Sequence, residues 1–249
     1  MRTNNRQDWF LNRRKMLALL GATGMHMVGG YSSASSGGGE RLQRTLSCII
    51  TPEQTEGPYF VDERLNRSDI RSDPSNGSIK EGLPLALEIR VFAASKTECK
   101  PVSDAFVDVW HCDGGGVYSD VIDSSFKTVG QKFLRGYQVT DANGSVRFIT
   151  IYPGWYPGRT VHIHFKIRTK AKYTRVHEFT SQFYFNDAIT DLVHAQQPYA
   201  GKAPSRVRRT RNEGDGIFRK GGDKLMLALA ETGQGYAATF DVGLQGISE

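Results

Sequence analysis

His162, Ile163 and His164 sit inside the run Val161–Ile167, where Val161, Ile163, Phe165 and Ile167 alternate with polar residues. Alternation with a period of two is the mark of a half-buried strand, and it places both imidazoles on the face opposite the apolar one. Side chains two apart on a strand start roughly 7 Å from one another, close enough to lean onto one metal ion. Upstream lies Tyr152-Pro153-Gly154-Trp155-Tyr156-Pro157-Gly158-Arg159, whose two Pro-Gly pairs predict turns that fold the segment over the strand end. That fold-back would bring Tyr156 and Arg159 to the histidine face. Tyr118, just past the glycine run 114–116, is a second phenol candidate. Zinc sites draw on Cys, His and carboxylates. Phenols, with an ordinary pKa near 10, become good ligands only for a hard, highly charged cation that can displace the proton. Two tyrosines with two histidines therefore point to ferric iron.

The elements that must position these groups read as strands. Leu85, Leu87, Ile89 and Val91 alternate with polar or small residues, as do 106–111, 133–140, 145–152 and 180–185, and a last pair is expected at 225–229 and 237–242. Asp113–Gly116, Asp141–Gly144 and Lys220–Asp223 supply turn chemistry between them. One short helix is expected at 187–195. The expected fold is all-β, an antiparallel β-sandwich core with a loop-rich N-terminal arm and little helix. Residues 61–82 are polar and turn-rich and read as a surface arm.

The chain has 249 residues and a formal net charge of +6. Arg2, Arg6, Arg13, Arg14 and Lys15 against Asp8 give residues 1–36 a charge of +4, leaving +2 for the rest. The body is thus nearly neutral and offers little to a nucleic acid. The run Arg206, Arg208, Arg209 and Arg211 lacks interleaved aromatics and reads as a solvated loop. The basic start followed by a short, weakly apolar stretch, with Arg13-Arg14 ahead of it, resembles a twin-arginine export signal. It is too short for a stable membrane span. The expected division is a signal over 1–36, a Gly/Ser-rich linker over 37–45 and one domain over 46–249, with a bacterial periplasmic or extracellular destination. Cys48, Cys99 and Cys112 allow one disulfide, whose pairing spacing does not fix.

Several segments together carry a family resemblance: Thr51–Phe60, Asp108–Cys112 through Gly116–Ser119, Thr140–Gly144, Tyr152–Pro157 with Arg159–Phe165, and Ser181–Phe185. The chain resembles the intradiol ring-cleavage dioxygenases, in particular an exported branch similar to protocatechuate 3,4-dioxygenase. The resemblance implies that Tyr118, Tyr156, His162 and His164 hold Fe(III), with Tyr156 and His164 axial and Tyr118 and His162 equatorial. It implies that Arg159 supports the reacting substrate, that Gln182 stands behind the histidines, and that Tyr59 belongs to a segment lining the pocket mouth. The implied reaction inserts both atoms of O2 into a catecholic ring between the two hydroxyl-bearing carbons, giving a cis,cis-muconate-type diacid. Homo-oligomers are common in such a family, and the arm could mediate one. The competing reading is an exported, non-catalytic binding module of transthyretin-like shape.

Overall fold

The computed structural model describes residues 49–95, 98–169, 177–201 and 208–247. The signal and linker expected over 1–45 lie outside them, as do Cys48 and Arg206. Two sheets face each other. The first contains β1 (Pro84–Ala94), β2 (Cys99–Pro101), β5 (Ser145–Ile151), β8 (Ala230–Thr232) and β9 (Gly235–Gln245). Its order is β2-β1-β9-β8, and β5 shares the β2 side of β1, pairing with Pro84–Arg90 while β2 pairs with Phe92–Ala94. The second sheet runs β4-β3-β6-β7, from β4 (Arg135–Val139), β3 (Phe106–Trp110), β6 (His162–Arg168) and β7 (Glu178–Tyr184).

Leu85, Leu87, Ile89 and Val91 of β1 meet Val107, Val109, Ile163, Phe165, Ile167 and Phe183 in one buried core. Phe165 and Phe183 stack with centroids 4.1 Å apart. Each such side chain contributes roughly 2 kcal/mol by leaving water. A one-residue slip of β6 would expose three of them and bury a lysine and an arginine, so the core fixes the register. That register is what turns His162 and His164 outward together, with His164 opposite Trp110 of β3 and Gln182 of β7.

The all-β reading holds, with three local differences. One pairing is parallel: β9 returns alongside β1 in the same direction, over ten residue pairs. The segment 225–229 is not a strand. It leaves a 3-10 turn at Gly222–Leu225 and touches β7 through Met226 and the Leu227 amide, bonded to the Tyr184 carbonyl, and the short β8 begins at Ala230. Its alternating leucines bury without a ladder of their own. The arm is also no free surface loop. Asn66 and Asp69 bridge to Tyr137 of β4 and Ile149 of β5, and Ile70 is fully buried. Arg67 donates to the carbonyls of Arg135 and Ser72. This strap spans an edge of each sheet. Its anchoring is mostly backbone hydrogen bonding, which polar composition does not reveal.

The single α-helix among the described residues, α1 (Asp187–His194), starts at Asn186, whose side chain caps the Ala188 and Ile189 amides. Arg209 pairs with Asp187 and Asp191, and Arg211 with Asp191. Arg209, with its side chain only 9% exposed, docks the segment onto α1, while Arg208 and Arg211 remain exposed as expected. Cys99 is disulfide-bonded, while Cys112 is free and buried. No helix among the described residues is long and apolar enough to cross a membrane.

Candidate metal centre

Four side chains converge on the outer face of β6. The His162 Nε2 atom lies 3.0 Å from His164 Nε2, 3.3 Å from the Tyr156 hydroxyl and 3.4 Å from the Tyr118 hydroxyl. Donor atoms that each stand about 2 Å from one ion are separated by about this much. The His162 Nδ1 atom is 2.6 Å from the Thr160 carbonyl, so it carries the proton and leaves the Nε2 lone pair facing the cluster. His164 has no such partner on Nδ1 among the described residues. It is held by stacking on Trp110, with centroids 5.0 Å apart.

Each donor is positioned by local sequence. Tyr118 follows the turn at Gly114–Gly116, where Gly116 has φ +83 and a Cβ would collide with the Trp155 carbonyl. That close approach locks the Tyr118 loop against the segment that carries Tyr156. Of the two predicted Pro-Gly turns, only Pro157-Gly158 forms, with the Arg159 amide 3.4 Å from the Tyr156 carbonyl. Pro153-Gly154 forms no turn and lies pressed against Asp113 and Gly114. One turn is enough to deliver both Tyr156 and Arg159 to the histidines.

Burial dominates the electrostatics. It pushes the Tyr118 phenol far above its ordinary range and Tyr156 up to about 12, where Arg159 partly opposes it. It pulls His162 down to about 3 and His164 lower than its usual value, with Arg159 and the facing imidazole adding to the effect. The imidazoles are therefore neutral bases. The phenols can ionise here only against a strong compensating charge. Among the described residues no group of three or more His, Cys, Asp and Glu could hold a metal, so a metal held at this spot would have to draw on the tyrosines. Two neutral imidazoles and two buried phenols suit a trivalent hard cation, and the residues present fit iron in its ferric state.

Around the donors, Arg159 donates from Nε to Asp215 at 2.8 Å and from Nη2 to Gln182, leaving Nη1 3.5 Å from His162 Nε2. Gln182 is not a donor to the cluster. It ties Arg159 to the Thr55 carbonyl and to Tyr184. Tyr59 lies over Tyr118, with centroids 4.4 Å apart and its hydroxyl on Asp123. His111 points elsewhere, bonded to Cys112 and Thr150, and His194 bonds the Pro153 carbonyl. All seven residues singled out in the sequence thus assemble in one place. Trp110, Gly57, Thr160 and Asp215 were not among them. Gly57 has φ +70, and a Cβ there would come within 3.3 Å of His164. Asp215 sits in Gly214-Asp215-Gly216, which reads as a plain turn. The one available signal was an acid at a tight Gly-flanked turn.

An all-β sandwich that gathers two imidazoles of one strand and two loop phenols at a single spot has the donor chemistry of a metal-dependent enzyme. A family model described as Dioxygenase matches residues 55–245. The β chain of protocatechuate 3,4-dioxygenase from Burkholderia cepacia is 30% identical over 198 residues, covering 76% of this chain and 77% of the relative. An intradiol ring-cleavage dioxygenase structure from Tetranychus urticae superposes with a TM-score of 0.67 at 30% identity, covering 80% of this chain and 95% of that one. The dioxygenase domain of a carbohydrate-binding fusion protein from Streptomyces sp. SirexAA-E gives 0.55 at 29% identity, over 79% and 99%. The chain belongs to the intradiol ring-cleavage dioxygenases and is an enzyme, not a non-catalytic binding module.

Proposed function

We propose that this chain is a ferric, non-haem dioxygenase that opens catecholic rings between the two hydroxyl-bearing carbons. The observation that carries this reading is the convergence of Tyr118, Tyr156 and His164 within 3.0–3.4 Å of the His162 Nε2 atom. Held there, iron would supply a ferric centre for a catecholate to chelate, which would make the ring reactive toward O2. The balance is simple. One ring carbon–carbon bond breaks, both oxygen atoms enter, and the two hydroxyl protons reappear on the carboxyl groups of a cis,cis-muconate-type diacid. The diol supplies all four electrons that O2 accepts, so no external reductant is needed.

The residues divide the work. Tyr118 is buried whereas Tyr156 is half-buried beside the exposed Pro157-Gly158 turn. Tyr156 would accordingly be the phenol with room to move and to take one catechol proton. His162 and His164, neutral and sunk in the sheet, stay fixed. Arg159 holds a positive charge next to the donors, where anionic character develops on the substrate. Tyr59, in the segment that closes over Tyr118, lines the approach for an aromatic ring.

The relatives' names point to substrates of this kind: protocatechuate for the Burkholderia protein and catechol for the Candida albicans catechol 1,2-dioxygenase, of which this chain covers 50%. The leader supports export of the folded, metal-loaded domain of residues 46–249 by the twin-arginine route. Replacing Arg13-Arg14 by two lysines would then strand it in the cytoplasm.

Metal analysis, a visible spectrum and oxygen uptake with a catechol panel test the reading together. One iron per chain, a phenolate-to-iron charge-transfer band and oxygen consumption matched to diacid formation are expected. Tyr156→Phe should alter the band and slow turnover. Iron-free, colourless protein that ignores catechols would overturn it.

A further inference from the structure

Asp215 is fully buried, and its carboxylate joins two parts of the centre. Oδ2 accepts from Arg159 Nε at 2.8 Å and from the Thr160 amide at 2.9 Å. The carbonyl of that same Thr160 accepts the His162 Nδ1 proton at 2.6 Å. Oδ1 accepts from the Ile217 and Phe218 amides, at 2.7 and 3.2 Å. Four donors thus surround one buried carboxylate, with no apparent slack in the arrangement. Burial works against its charge, but the Thr160 amide and Arg159 outweigh it and keep the group ionised. Asn212 adds a second tie to the same spot, accepting from the Thr160 hydroxyl at 2.6 Å. The 209–212 stretch is in turn fastened to α1 through Arg209, Arg211 and Asn212.

We propose that Asp215 is a positioning residue of the reaction: its carboxylate, held in place by the Thr160, Ile217 and Phe218 amides, aims the Arg159 guanidinium at the donor cluster. The inference rests on the four-donor metal reading and extends it to a residue more than fifty positions downstream in the chain. Arg159 has five N–H donors in a rigid fork. With Nε on Asp215 and Nη2 on Gln182, only the Nη1 edge is left for the cluster. Without Asp215 the guanidinium would be tethered at one point and could rotate its charge away. Gln182 fixes the other arm, so the two residues act as a clamp.

The test is a double-mutant cycle on the iron-loaded enzyme with Asp215→Asn and Arg159→Gln. An asparagine cannot accept from all four donors, because its amide nitrogen must face two N–H groups. Alone, Asp215→Asn should lower kcat/KM for catechol by about 100-fold, the scale of losing one oriented charge. It should also move the charge-transfer band to longer wavelength, since a fixed cation beside a phenolate lowers the energy of the electron transferred. Arg159→Gln should produce the same band shift. In that background Asp215→Asn should cost less than about threefold more and leave the band where it is. Equal losses in both backgrounds, or an unmoved band, would overturn the proposal by making Asp215 a stability residue only. Asp215→Glu, which keeps the charge but displaces it by a methylene, runs the same cycle if the asparagine variant does not fold. Iron content and colour of the unmodified enzyme are measured first. Their absence sinks the metal reading, whereas a red enzyme with additive losses sinks this inference alone.

Discussion

The imidazole of His164 lies parallel to the indole of Trp110, 5° from coplanar with centroids 5.0 Å apart. The two face each other across the β3–β6 ladder, so the stack is built by strand register. With no hydrogen-bond partner on its Nδ1 among the described residues, His164 owes its orientation to this contact. Trp110→Leu should therefore keep the β3 strand but let the ring swing. We expect about a 10-fold loss in iron affinity, the scale of losing an outer partner of a ligand. Iron retained after dialysis against a graded chelator series reads this directly. Equal retention by both proteins would show that the stack does not hold the ligand.

Tyr59 tests a different support. Its ring covers Tyr118 and meets Tyr156 edge-on, at 4.4 and 6.0 Å between centroids, and its hydroxyl donates to Asp123 on an exposed hairpin. Tyr59→Phe keeps the ring and removes only the surface hydrogen bond, so band position and iron content should stay as they are. Tyr59→Leu removes the ring from the Tyr118 face and should shift the band. A shift in the phenylalanine variant would instead assign the effect to the Asp123 latch.

Two buried groups away from the donor atoms set opposing pH dependences. Burial holds His111 down at about 4. Above about pH 6.5 it is neutral in both states. Below that the unfolded chain takes up a proton that the fold refuses, so stability is lost on acidification, by on the order of 3 kcal/mol near pH 4. Asp108 runs the other way. Burial pushes it up to about 6 despite Arg168. The fold then binds a proton below about pH 6, the unfolded chain only below about pH 4, and acidification across that window restores stability. Urea unfolding of chelator-treated protein between pH 7 and 4.5 should show a shallower acid loss for His111→Gln and a steeper one for Asp108→Asn. Three parallel curves would contradict both assignments.

The histidine pair and the Tyr156–Arg159 turn were legible in the sequence because they are local: two histidines on one strand face need only the period of two, and Pro157-Gly158 needs only its turn chemistry, whereas Tyr118, 44 residues from His162, was one candidate phenol until the family resemblance assigned it a place. The core strands were legible for the same reason. What escaped depends on long-range pairing. The parallel return of β9 beside β1 leaves no pattern in either strand, since parallel and antiparallel neighbours bury the same alternate residues. The strap at Asn66–Ile70 looks polar because it is held by backbone bonds to Tyr137 and Ile149. Asp215 gives no hint of its partners because Arg159 and Thr160 lie more than fifty residues away.

Gly57 shows how a residue without a side chain can matter to the centre. It combines φ +70 with a position where a Cβ would stand 3.3 Å from the His164 ring. Gly77 has nearly the same backbone, φ +74, with open space around it. Alanine at either site carries the left-handed strain, about 1–2 kcal/mol, which lowers the melting temperature by roughly 2–8 °C in a domain of this size. Only Gly57→Ala also presses a methyl group on His164, one of the proposed donors. The pair should therefore lose similar stability when chelator-treated, while only Gly57→Ala loses iron more readily and moves the visible band. If both variants retain iron equally, the His164 ring has room to give and the close approach at Gly57 serves the backbone turn alone.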